Sequence, residues 1–341
     1  MVEFFPENRD DWRKTNDLLK TAETVFITTH VNPDGDALGS EMALADFLRR
    51  SGKRCAIYNH SPMPDVFRYL DPFGVIRVFN GENPREQKPK ETDAIVFLDL
   101  GRFDRCGKCT EFFEKSSAAK IVIDHHPPEN VDADIVVVNT RAAATGSLVY
   151  DLLCHLDASL VDHEIALSIM TAIVTDTGYF RYSNTTATTH LIASSLYDKG
   201  VTAIDVRSRL ETGFPLCRQK LMGLALSRIR IALEGQIAYS YITHEMFDTA
   251  GAKREHTDGI IDQLRFINGT KIAFLAIQEE QERYKVSFRS GENVSVNRVA
   301  AMLGGGGHPR AAGANLIGSL DFVIRRVLDA AESYLIHDHK E

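Results

Sequence analysis

The feature that most constrains this chain is the segment His30-Val-Asn-Pro-Asp-Gly-Asp36, which follows an apolar run at residues 25–27. Pro33 and Gly35 favour a loop there, so both aspartates of the segment can point into one small volume. Two carboxylates about 4 Å apart repel by about 4 kcal/mol at an effective dielectric of about 20. Because cations relieve such crowding, the segment predicts a metal site whose other ligands come from elsewhere in the chain.

The bulk composition describes an ordinary globular chain that is acidic overall. Its 341 residues suggest two domains, and hydrophobic and charged contents of 44% and 25% are typical of folded proteins. The net charge of −8 argues against non-specific binding to long duplex nucleic acid, although metals and a few arginines can still make a local phosphate site. The polar residues 1–14 and the short uncharged stretch 165–175 predict a cytoplasmic protein with no membrane partner.

Five scattered cysteines indicate reduced thiols rather than a disulfide framework. Cys106 and Cys109 form a C-x-x-C pair, but a structural zinc would need a second pair, which the sequence lacks. The pair therefore predicts ordinary local packing, with a redox or zinc role as the alternative.

Apolar runs alternate with helical patterns through the first half of the chain. Predicted strands lie at residues 25–29, 54–58, 94–98, 120–123 and 135–138, and a predicted helix spans 37–50. The continuous apolar character of the strand segments indicates burial on both faces. This β–α–β rhythm predicts an α/β fold with a doubly wound, mostly parallel sheet.

The pattern changes after a break at Gly213-Phe214-Pro215. Residues 236–242, 271–278 and 284–288 read as strands, and residues 258–266, 295–303 and 320–335 read as helices. This mixture predicts a smaller C-terminal α+β domain with a mixed sheet. We expect a catalytic domain at residues 1–190, a helical linker at 191–215 and a second domain at 216–341.

Ionisable residues follow several predicted strands, at the edge where an open parallel sheet binds its ligands. Asp99 follows the third strand, and Asp124, His125 and His126 follow the fourth. One aspartate at a strand end is more often a turn or cap residue, but three strands that end in this way at one edge favour a site. Asp176, at the predicted end of an apolar helix, reads as a further ligand or as a capping residue.

This set of histidines and aspartates is too large for one tetrahedral zinc. It suits two divalent cations that share a bridging carboxylate, and mixed imidazole and carboxylate donors favour Mn²⁺, with Mg²⁺, Fe²⁺ or Co²⁺ as alternatives. Two such ions about 3.5–4 Å apart activate a water and stabilise an in-line displacement at phosphorus. The residues therefore predict hydrolysis of a phosphate ester.

These residues resemble the four motifs of the DHH phosphoesterase superfamily. The motifs are His30-x-x-x-Asp34-x-Asp36, Asp99, Asp124-His125-His126 and Asp176, in that order within residues 24–180. The resemblance implies that His30 and Asp34 hold one metal. It assigns the other metal to Asp36, His125 and Asp176, and the bridge to Asp99. It also implies that His126 faces the substrate phosphate and that Asp124 orients the neighbouring histidines.

The second distinctive segment is Gly304-Gly-Gly-Gly-His-Pro-Arg-Ala-Ala-Gly313. It is neither a Walker loop nor a Rossmann fingerprint, since no Gly-Lys-Ser/Thr follows it and no predicted strand precedes it. It reads either as a flexible helix C-cap or as a backbone that approaches a phosphate, with polar contacts from His308 and Arg310. The segment resembles the glycine motif of the DHHA1 domain. That resemblance implies substrate contacts by Gly305, Gly306 and Gly307.

Two arginines are candidates for holding the substrate phosphate. Arg289 ends a predicted strand shortly before the glycine motif, and similar DHHA1 proteins place an arginine there for this purpose. Arg105, soon after Asp99, is the second candidate. Three aromatic residues that follow the predicted ligand at position 176 either stack on a base or anchor the core: Tyr179, Phe180 and Tyr182.

The acidic two-domain chain most resembles the bifunctional oligoribonuclease and pAp phosphatase (NrnA-like) group of this superfamily. The resemblance implies hydrolysis of short RNA oligonucleotides to mononucleotides, and dephosphorylation of 3′-phosphoadenosine 5′-phosphate (pAp) to AMP. Similar proteins are often dimers, so a homodimer is a further expectation. Two alternatives stay open: a soluble phosphodiesterase of cyclic dinucleotides or their linear products, and a nucleotide-binding sensor without turnover.

Overall fold

The computed structural model describes residues 3–79, 92–127, 131–211, 215–291 and 294–338. The chain divides into two units, Met1–Gly213 and Phe214–Glu341. The α-helices of the described residues are α1 (Arg9–Thr21), α2 (Gly35–Arg50), α3 (Cys109–Phe113), α4 (Thr145–Asp157), α5 (His163–Asp176), α6 (Ala187–Tyr197), α7 (Ala203–Glu211), α8 (Leu216–Leu226), α9 (His244–Ala250), α10 (Ile260–Arg265), α11 (Val296–Met302) and α12 (Leu320–Ser333). The β-strands are β1 (Thr24–Thr28), β2 (Arg54–Asn59), β3 (Ile76–Val78), β4 (Ala94–Leu98), β5 (Ala119–Asp124), β6 (Ile135–Val138), β7 (Arg230–Ala232), β8 (Ile237–Ile242), β9 (Ile272–Glu280), β10 (Arg283–Ser290), β11 (Gly306–His308) and β12 (Ala311–Ile317).

The sheet of the first unit is parallel throughout its described strands, which lie in the order β3-β2-β1-β4-β5-β6. The register places Val25 of β1 beside Cys55 of β2 and Ala94 of β4. This arrangement confirms the predicted doubly wound parallel sheet. The sequence prediction lacks β3, because a strand of three residues carries too little periodicity to be separated from a loop.

Both faces of this sheet are covered, which explains why its strands read as continuous apolar runs. Val25 and Ile27 of β1 join the larger core of the first unit. Phe26, between them, points to the opposite face and packs against the ring of Tyr58 in a smaller core. A strand with apolar side chains on both faces shows no polar alternation in its sequence.

The helices α2, α4 and α5 form the larger core against one face of the sheet. They approach closely because glycines lie where the helices cross. A Cβ atom at Gly39 would lie 2.4 Å from the carbonyl oxygen of Ser168, and one at Gly146 would lie 2.4 Å from the Cβ of Ala172. This packing fixes the start of α2, the start of α4 and the end of α5 relative to one another.

The sheet of the second unit is mixed and has the order β11-β12-β10-β9-β8-β7. Of its described pairings, β8 with β9 is parallel and the rest are antiparallel. The predicted strands at 236–242, 271–278 and 284–288 correspond to β8, β9 and β10, which confirms the mixed sheet. The hairpin of β11 and β12 is missing from the prediction, because glycine and alanine give a weak hydrophobic alternation.

The region predicted as a linker, residues 191–215, contains most of α6 and all of α7. Ile192, Leu196 and Val206 of these helices are buried in the larger core of the first unit. The domain limits 1–190, 191–215 and 216–341 stay a prediction. Among the described helices, none has the length and apolar character that crossing a lipid bilayer requires.

Candidate metal centre

The sheet of the first unit has a topological switch point between β1 and β4, because the strand order runs outward from these two strands in opposite directions. Ligands of doubly wound sheets bind outside the carboxyl ends of the strands at such a point. His30 lies two residues after β1, Asp99 directly follows β4, and Asp124 is the last residue of the neighbouring β5. The fold therefore brings three of the predicted motifs to one edge of the sheet.

Asp34 and Asp36 lie at the start of α2 and interact with two different helix N-termini. Asp34 is the N-cap of α2, and its Oδ1 accepts hydrogen bonds from the backbone N–H groups of Asp36 (3.0 Å) and Ala37 (3.1 Å). Asp36 is 1% exposed and accepts hydrogen bonds from the backbone N–H groups of Thr145 (2.7 Å) and Gly146 (2.9 Å), at the start of α4. The positive ends of two helices thus stabilise both carboxylates.

The carboxylate of Asp99 lies close to side chains from several parts of the site. It is buried, and its φ of 57° lies in the left-handed region, which a non-glycine residue adopts at some cost in energy. Its Oδ1 accepts a hydrogen bond from the hydroxyl of Thr145 at 3.0 Å. Nε2 of His30 lies 3.6 Å from its Oδ2, and Nε2 of His125 lies 3.6 Å from its Oδ1. One carboxylate therefore contacts side chains from three separate segments.

The neighbouring histidines at the end of β5 are held in different ways. Oδ1 of Asp124 accepts a hydrogen bond from the backbone N–H of His126 (2.8 Å) and lies 2.9 Å from Nδ1 of the same histidine. Its Oδ2 accepts from the two backbone N–H groups that follow Asp99. Nδ1 of His125 instead lies 3.3 Å from the carbonyl oxygen of Ala142. The structure therefore gives His126 an aspartate partner and His125 a backbone partner.

Asp176 is the last residue of α5, and the loop that follows returns to it. The side-chain amide of Asn184 donates to Oδ2 of Asp176 at 3.2 Å and to its carbonyl oxygen at 3.1 Å. Nε2 of His125 lies 3.8 Å from the same Oδ2 and 3.7 Å from Oδ2 of Asp36. Asp36, His125 and Asp176 therefore surround one small volume.

Three groups of side chains at this edge could each hold a metal ion, since the donor atoms of each group lie within 4.8 Å of one another. The groups are His30, Asp34 and Asp99; Asp36, His125 and Asp176; and Asp99, His125 and His126. We name these seven residues the metal cluster. Asp99 contributes to two groups, and the mixed carboxylate and imidazole donors fit divalent cations such as Mn²⁺. The first two groups match the partition that the family resemblance implies, and ligation by these residues stays a prediction.

Burial and neighbouring charges shift the pKa values of several residues of the metal cluster. Burial, together with the charges of Asp99 and Asp176, raises the pKa of Asp36 well above its usual range. Burial is also the main cause that raises the pKa of Asp176 to about 6. Burial favours the neutral ring of His126, but hydrogen bonds with Asp124 and Asp99 raise its pKa to about 10. Burial and the negative charge of Asp99 raise the pKa values of Asp36 and Asp176, and this negative charge attracts cations.

Two residues that organise this site, Thr145 and Asn184, were not found by sequence reasoning. Thr145 gives its backbone N–H to Asp36 and its hydroxyl to Asp99, and Asn184 gives its amide to Asp176. The Thr-Gly-Ser sequence that follows three alanines was a usable signal of a helix start at Thr145. Asn184 had no comparable signal, because its contact depends on how the loop folds back after α5.

The predicted substrate residues of the second unit lie in a row across its sheet. Arg289 on β10 pairs with Ala311 on β12, and Ala311 in turn pairs with His308 on β11. Arg310 lies in the turn between β11 and β12, and its carbonyl oxygen accepts a hydrogen bond from the backbone N–H of Ser290 at 3.2 Å. We name Arg289, His308 and Arg310 the basic row. The unpredicted hairpin is what brings the last two beside the first.

The glycine run forms the first strand of that hairpin. A Cβ atom at Gly305 would lie 2.1 Å from the carbonyl oxygen of Gly313, so no other residue fits there without a shift of the backbone. Gly307 has a φ of 135°, which also favours glycine. Gly306 pairs with Gly313. These constraints explain the glycines structurally, and substrate contact by Gly305, Gly306 and Gly307 stays a prediction.

The two candidate phosphate arginines belong to different units. Nη1 of Arg105 donates to the carbonyl oxygen of Leu100 at 3.3 Å, in the loop that follows Asp99. Nε of Arg289 lies 3.7 Å from Oδ1 of Asp262 on α10, within the second unit. Each guanidinium is thus oriented by a neighbour in its own unit.

The three aromatic residues after Asp176 differ in burial. Tyr179 and Phe180 are partly buried and pack against the larger core, as expected of anchoring residues. Tyr182 is exposed, and its ring lies against the backbone of Gly178. The exposed ring of Tyr182 is therefore available for stacking on a base.

The five cysteines are all free. Cys106 and Cys109 are buried in the smaller core, on the sheet face opposite α2, α4 and α5. Burial raises the pKa of the Cys106 thiol, which makes it less reactive. The C-x-x-C pair thus has the surroundings of packing residues.

Comparison with known proteins gives matches along most of the chain. A family model described as "DHH family, N-terminal domain" matches residues 24–173, and one described as "DHHA1 domain" matches residues 234–336. A Thermus thermophilus protein named bifunctional oligoribonuclease and PAP phosphatase NrnA is 34% identical over 97% of this chain and 97% of its own length. A Bacillus subtilis protein with the same name is 26% identical over 86% of this chain and 90% of its own. The crystal structure of an exopolyphosphatase-related protein from Bacteroides fragilis superposes with a TM-score of 0.88 at 26% identity, covering 96% of both chains.

Proposed function

The chain belongs to the DHH/DHHA1 family of metal-dependent phosphoesterases, and we propose that it hydrolyses short oligoribonucleotides to mononucleotides and dephosphorylates pAp to AMP. The proposal depends on one observation, which is that the carboxylate of Asp99 belongs to two groups of potential metal donors. The relatives from Thermus thermophilus and Bacillus subtilis, which match 97% and 86% of this chain, are named for both activities. Agreement over such lengths supports the same arrangement of domains and the same class of substrate.

The metal cluster supplies donors for two divalent ions. The proposed donors are His30 and Asp34 for one ion, Asp36, His125 and Asp176 for the other, and Asp99 for both. When bound, two such ions lower the pKa of a water and neutralise charge at phosphorus, which is what phosphate-ester hydrolysis requires. Mn²⁺ accepts imidazole and carboxylate donors at high coordination number, and Mg²⁺, Fe²⁺ and Co²⁺ are the alternatives.

Other residues of the first unit would bind and orient the substrate phosphate. The contacts of His126 with Asp124 fix the plane of the imidazole, so that it can meet a phosphate oxygen in one orientation. Arg105, which is hydrogen-bonded to the loop that follows Asp99, would add a planar guanidinium for the same phosphate. These contacts bring the phosphorus atom to a set position next to the donors.

The basic row would hold a phosphate or terminal nucleotide of the substrate. The guanidinium groups of Arg289 and Arg310 suit phosphate oxygens, and the backbone of Gly305, Gly306 and Gly307 allows a close approach. In this proposal, residues 1–190 catalyse, 216–341 bind substrate and 191–215 connect them. Substrates of this kind arise inside the cell, so the proposal also predicts a cytoplasmic enzyme.

The test is a substrate panel with Mn²⁺ and the full chain: pAp, a two-nucleotide RNA, a twenty-nucleotide RNA and a cyclic dinucleotide. We expect turnover of pAp and of the short RNA, with slower cleavage of the long RNA. Equal or faster cleavage of the long RNA would contradict the preference for short substrates. A cyclic dinucleotide that reacts faster than both would favour the phosphodiesterase alternative, and binding without any turnover would favour the sensor.

A further inference from the structure

The side-chain amide of Asn184 connects two segments of the metal site. Its nitrogen lies 3.2 Å from Oδ2 of Asp176, 3.1 Å from the carbonyl oxygen of Asp176 and 3.0 Å from the carbonyl oxygen of Ala143. Its Oδ1 is buried and has no hydrogen-bond partner in the described structure. Three oxygens around one atom identify that atom as the amide nitrogen, so Asn184 is a donor here.

The short segment 142–146 holds all three members of one donor group. The carbonyl oxygen of Ala142 lies 3.3 Å from Nδ1 of His125. The backbone N–H groups of Thr145 and Gly146 donate to Asp36. The carbonyl oxygen of Ala143 accepts a hydrogen bond from Asn184, which also donates to Asp176. One segment thus fixes side chains that come from three distant places in the chain, and Asn184 supplies the link to the third.

We propose that Asn184 is a positioning residue that preassembles Asp36, His125 and Asp176 for their metal ion. Without the amide, the Asp176 carboxylate loses this donor and can rotate away from His125, which lies 3.8 Å away. The hydrogen bonds of Asn184 do not extend to His30, in the other proposed donor group, so the effect should be confined to one ion. This inference rests on the metal cluster and not on the identity of the phosphate ester.

The test is a Mn²⁺ titration of the metal-free full-length chain, with free Mn²⁺ counted by electron paramagnetic resonance. We expect wild type to bind two ions. Asn184→Ala should bind one ion as wild type does and the other ~10–100-fold more weakly. Asn59→Ala is the matched control, because Asn59 is a buried amide that donates to Glu41 at 2.8 Å and also has an unpartnered Oδ1. It should lower the unfolding temperature and leave both Mn²⁺ affinities unchanged.

An equal loss of affinity for both ions, or no loss at all, in Asn184→Ala would overturn the proposal. Thermal unfolding gives a second readout: added Mn²⁺ should stabilise Asn184→Ala less than it stabilises wild type and Asn59→Ala. If Asn184→Ala does not fold, Asn184→Leu keeps the volume of the side chain without its donor and is titrated in the same way. The same selective loss is expected, and an unchanged pair of affinities would again overturn the proposal.

An independent observation concerns the backbone of the loop after α5. Gly178, Tyr179 and Phe180 have φ values of 53°, 62° and 62°, so three successive residues lie in the left-handed region. Tyrosine and phenylalanine adopt this region at a cost in energy, and such strain collects at functional sites. The turn folds the chain back on itself, and Tyr182 comes to lie over Gly178 as a result.

The ring of Tyr182 packs against the backbone of Gly178 on one side and is partly exposed to solvent. A Cβ atom at Gly178 would lie 2.3–2.6 Å from three atoms at the hydroxyl end of the ring, yet the residue is 42% exposed. Gly178 is two residues from Asp176, a span of at most about 7.6 Å between Cα atoms, so the ring lies over a residue close in the chain to the metal cluster. We infer that Tyr182 stacks on the nucleobase of the bound nucleotide, an inference that rests on the proposed function.

Equilibrium binding and turnover of pAp by wild type, Tyr182→Ala and Tyr182→Phe test this stacking. We expect Tyr182→Ala to bind pAp about 5- to 100-fold more weakly and Tyr182→Phe to bind it as wild type does. The base-free ligand 1-deoxyribose 3,5-bisphosphate should bind equally to all three. Equal binding of pAp by Tyr182→Ala and wild type would overturn the stacking. Wild type that binds pAp without turnover would overturn the proposed function alone, and wild type that does not bind pAp would overturn both.

Discussion

The metal cluster and the basic row are both candidates for contacting phosphate, but they are built in opposite ways. Asp36 and Asp99 are buried, and their oxygens accept hydrogen bonds from Thr145 at the start of a helix. The basic row is formed largely by exposed residues at one end of a sheet, where His308 belongs to a strand of three residues. Interactions are strong around the buried Asp36 and Asp99 because water does not screen them, whereas solvent screens the exposed His308 and Arg310. Single changes should therefore disable the first and only weaken the second.

Asp99→Ala should have the largest effect, because Asp99 belongs to the donor group of His30 and Asp34 and also lies 3.6 Å from His125 of the other proposed group. We expect the loss of both Mn²⁺ ions and a fall in kcat on pAp of ~10³-fold or more, which corresponds to about 4 kcal/mol or more of activation free energy. Metal analysis and steady-state kinetics measure these effects together. A variant that keeps both ions and wild-type turnover would show that the two donor groups do not depend on Asp99.

Thr145→Val should have the next largest effect, because it removes the hydroxyl donor to Asp99 while keeping the shape of the side chain. We expect Mn²⁺ affinity to fall ~10–100-fold. Thr171→Val is the matched control, since the buried hydroxyl of Thr171 donates to the carbonyl oxygen of Leu167 within α5. That control should lose about 1 kcal/mol of stability and keep its Mn²⁺ affinity. Identical Mn²⁺ titrations for both variants would contradict the role given to Thr145.

Arg289→Ala tests the contribution of the basic row to substrate binding. We expect KM for pAp to rise about 10- to 100-fold through the loss of a charge-assisted contact, with both ions retained. Arg283→Ala is the matched control, because Arg283 lies at the opposite end of β10, where its partner Glu280 is also exposed. It should leave KM unchanged. Loss of metal in Arg289→Ala, or an equal rise in KM in both variants, would remove the distinction between the cluster and the row.

Two glycine substitutions extend the comparison to packing, with the smallest expected effects. Gly39→Ala forces a Cβ against the carbonyl oxygen of Ser168, and we expect a loss of about 1–3 kcal/mol in unfolding free energy. Gly223 lies in α8 with no atom within 4 Å of an added Cβ, so Gly223→Ala should gain about 0.4–1 kcal/mol. Urea unfolding measures both changes. Changes of the same sign would contradict the close packing of α2 against α5.

The sequence predicted the first sheet well because strands buried on both faces form continuous apolar runs. The predicted strand 94–98 coincides with β4. The predicted helix 37–50 corresponds to α2, which begins two residues earlier, at Gly35. The difference arises because the side chain of Asp34, a predicted metal ligand, also caps the helix and so starts it at Gly35. The candidate donors were found because each follows an element that the hydrophobic pattern locates.

The features that escaped prediction depend on contacts between distant segments. Asn184 reaches Asp176 and Ala143 only after a left-handed turn that the sequence does not indicate. The hairpin of β11 and β12 is made of small residues, which give little periodic signal. Local patterns therefore predicted the elements and the candidate donor residues, but not the hydrogen bonds that hold those side chains in place.

Anomalous diffraction from crystals grown with Mn²⁺ tests the shared carboxylate most directly. We expect two peaks about 3.5–4 Å apart, with Asp99 between them, one peak beside His30 and Asp34, and the other beside Asp36, His125 and Asp176. A single peak, or two peaks that do not both contact Asp99, would rule out a bridging role for Asp99.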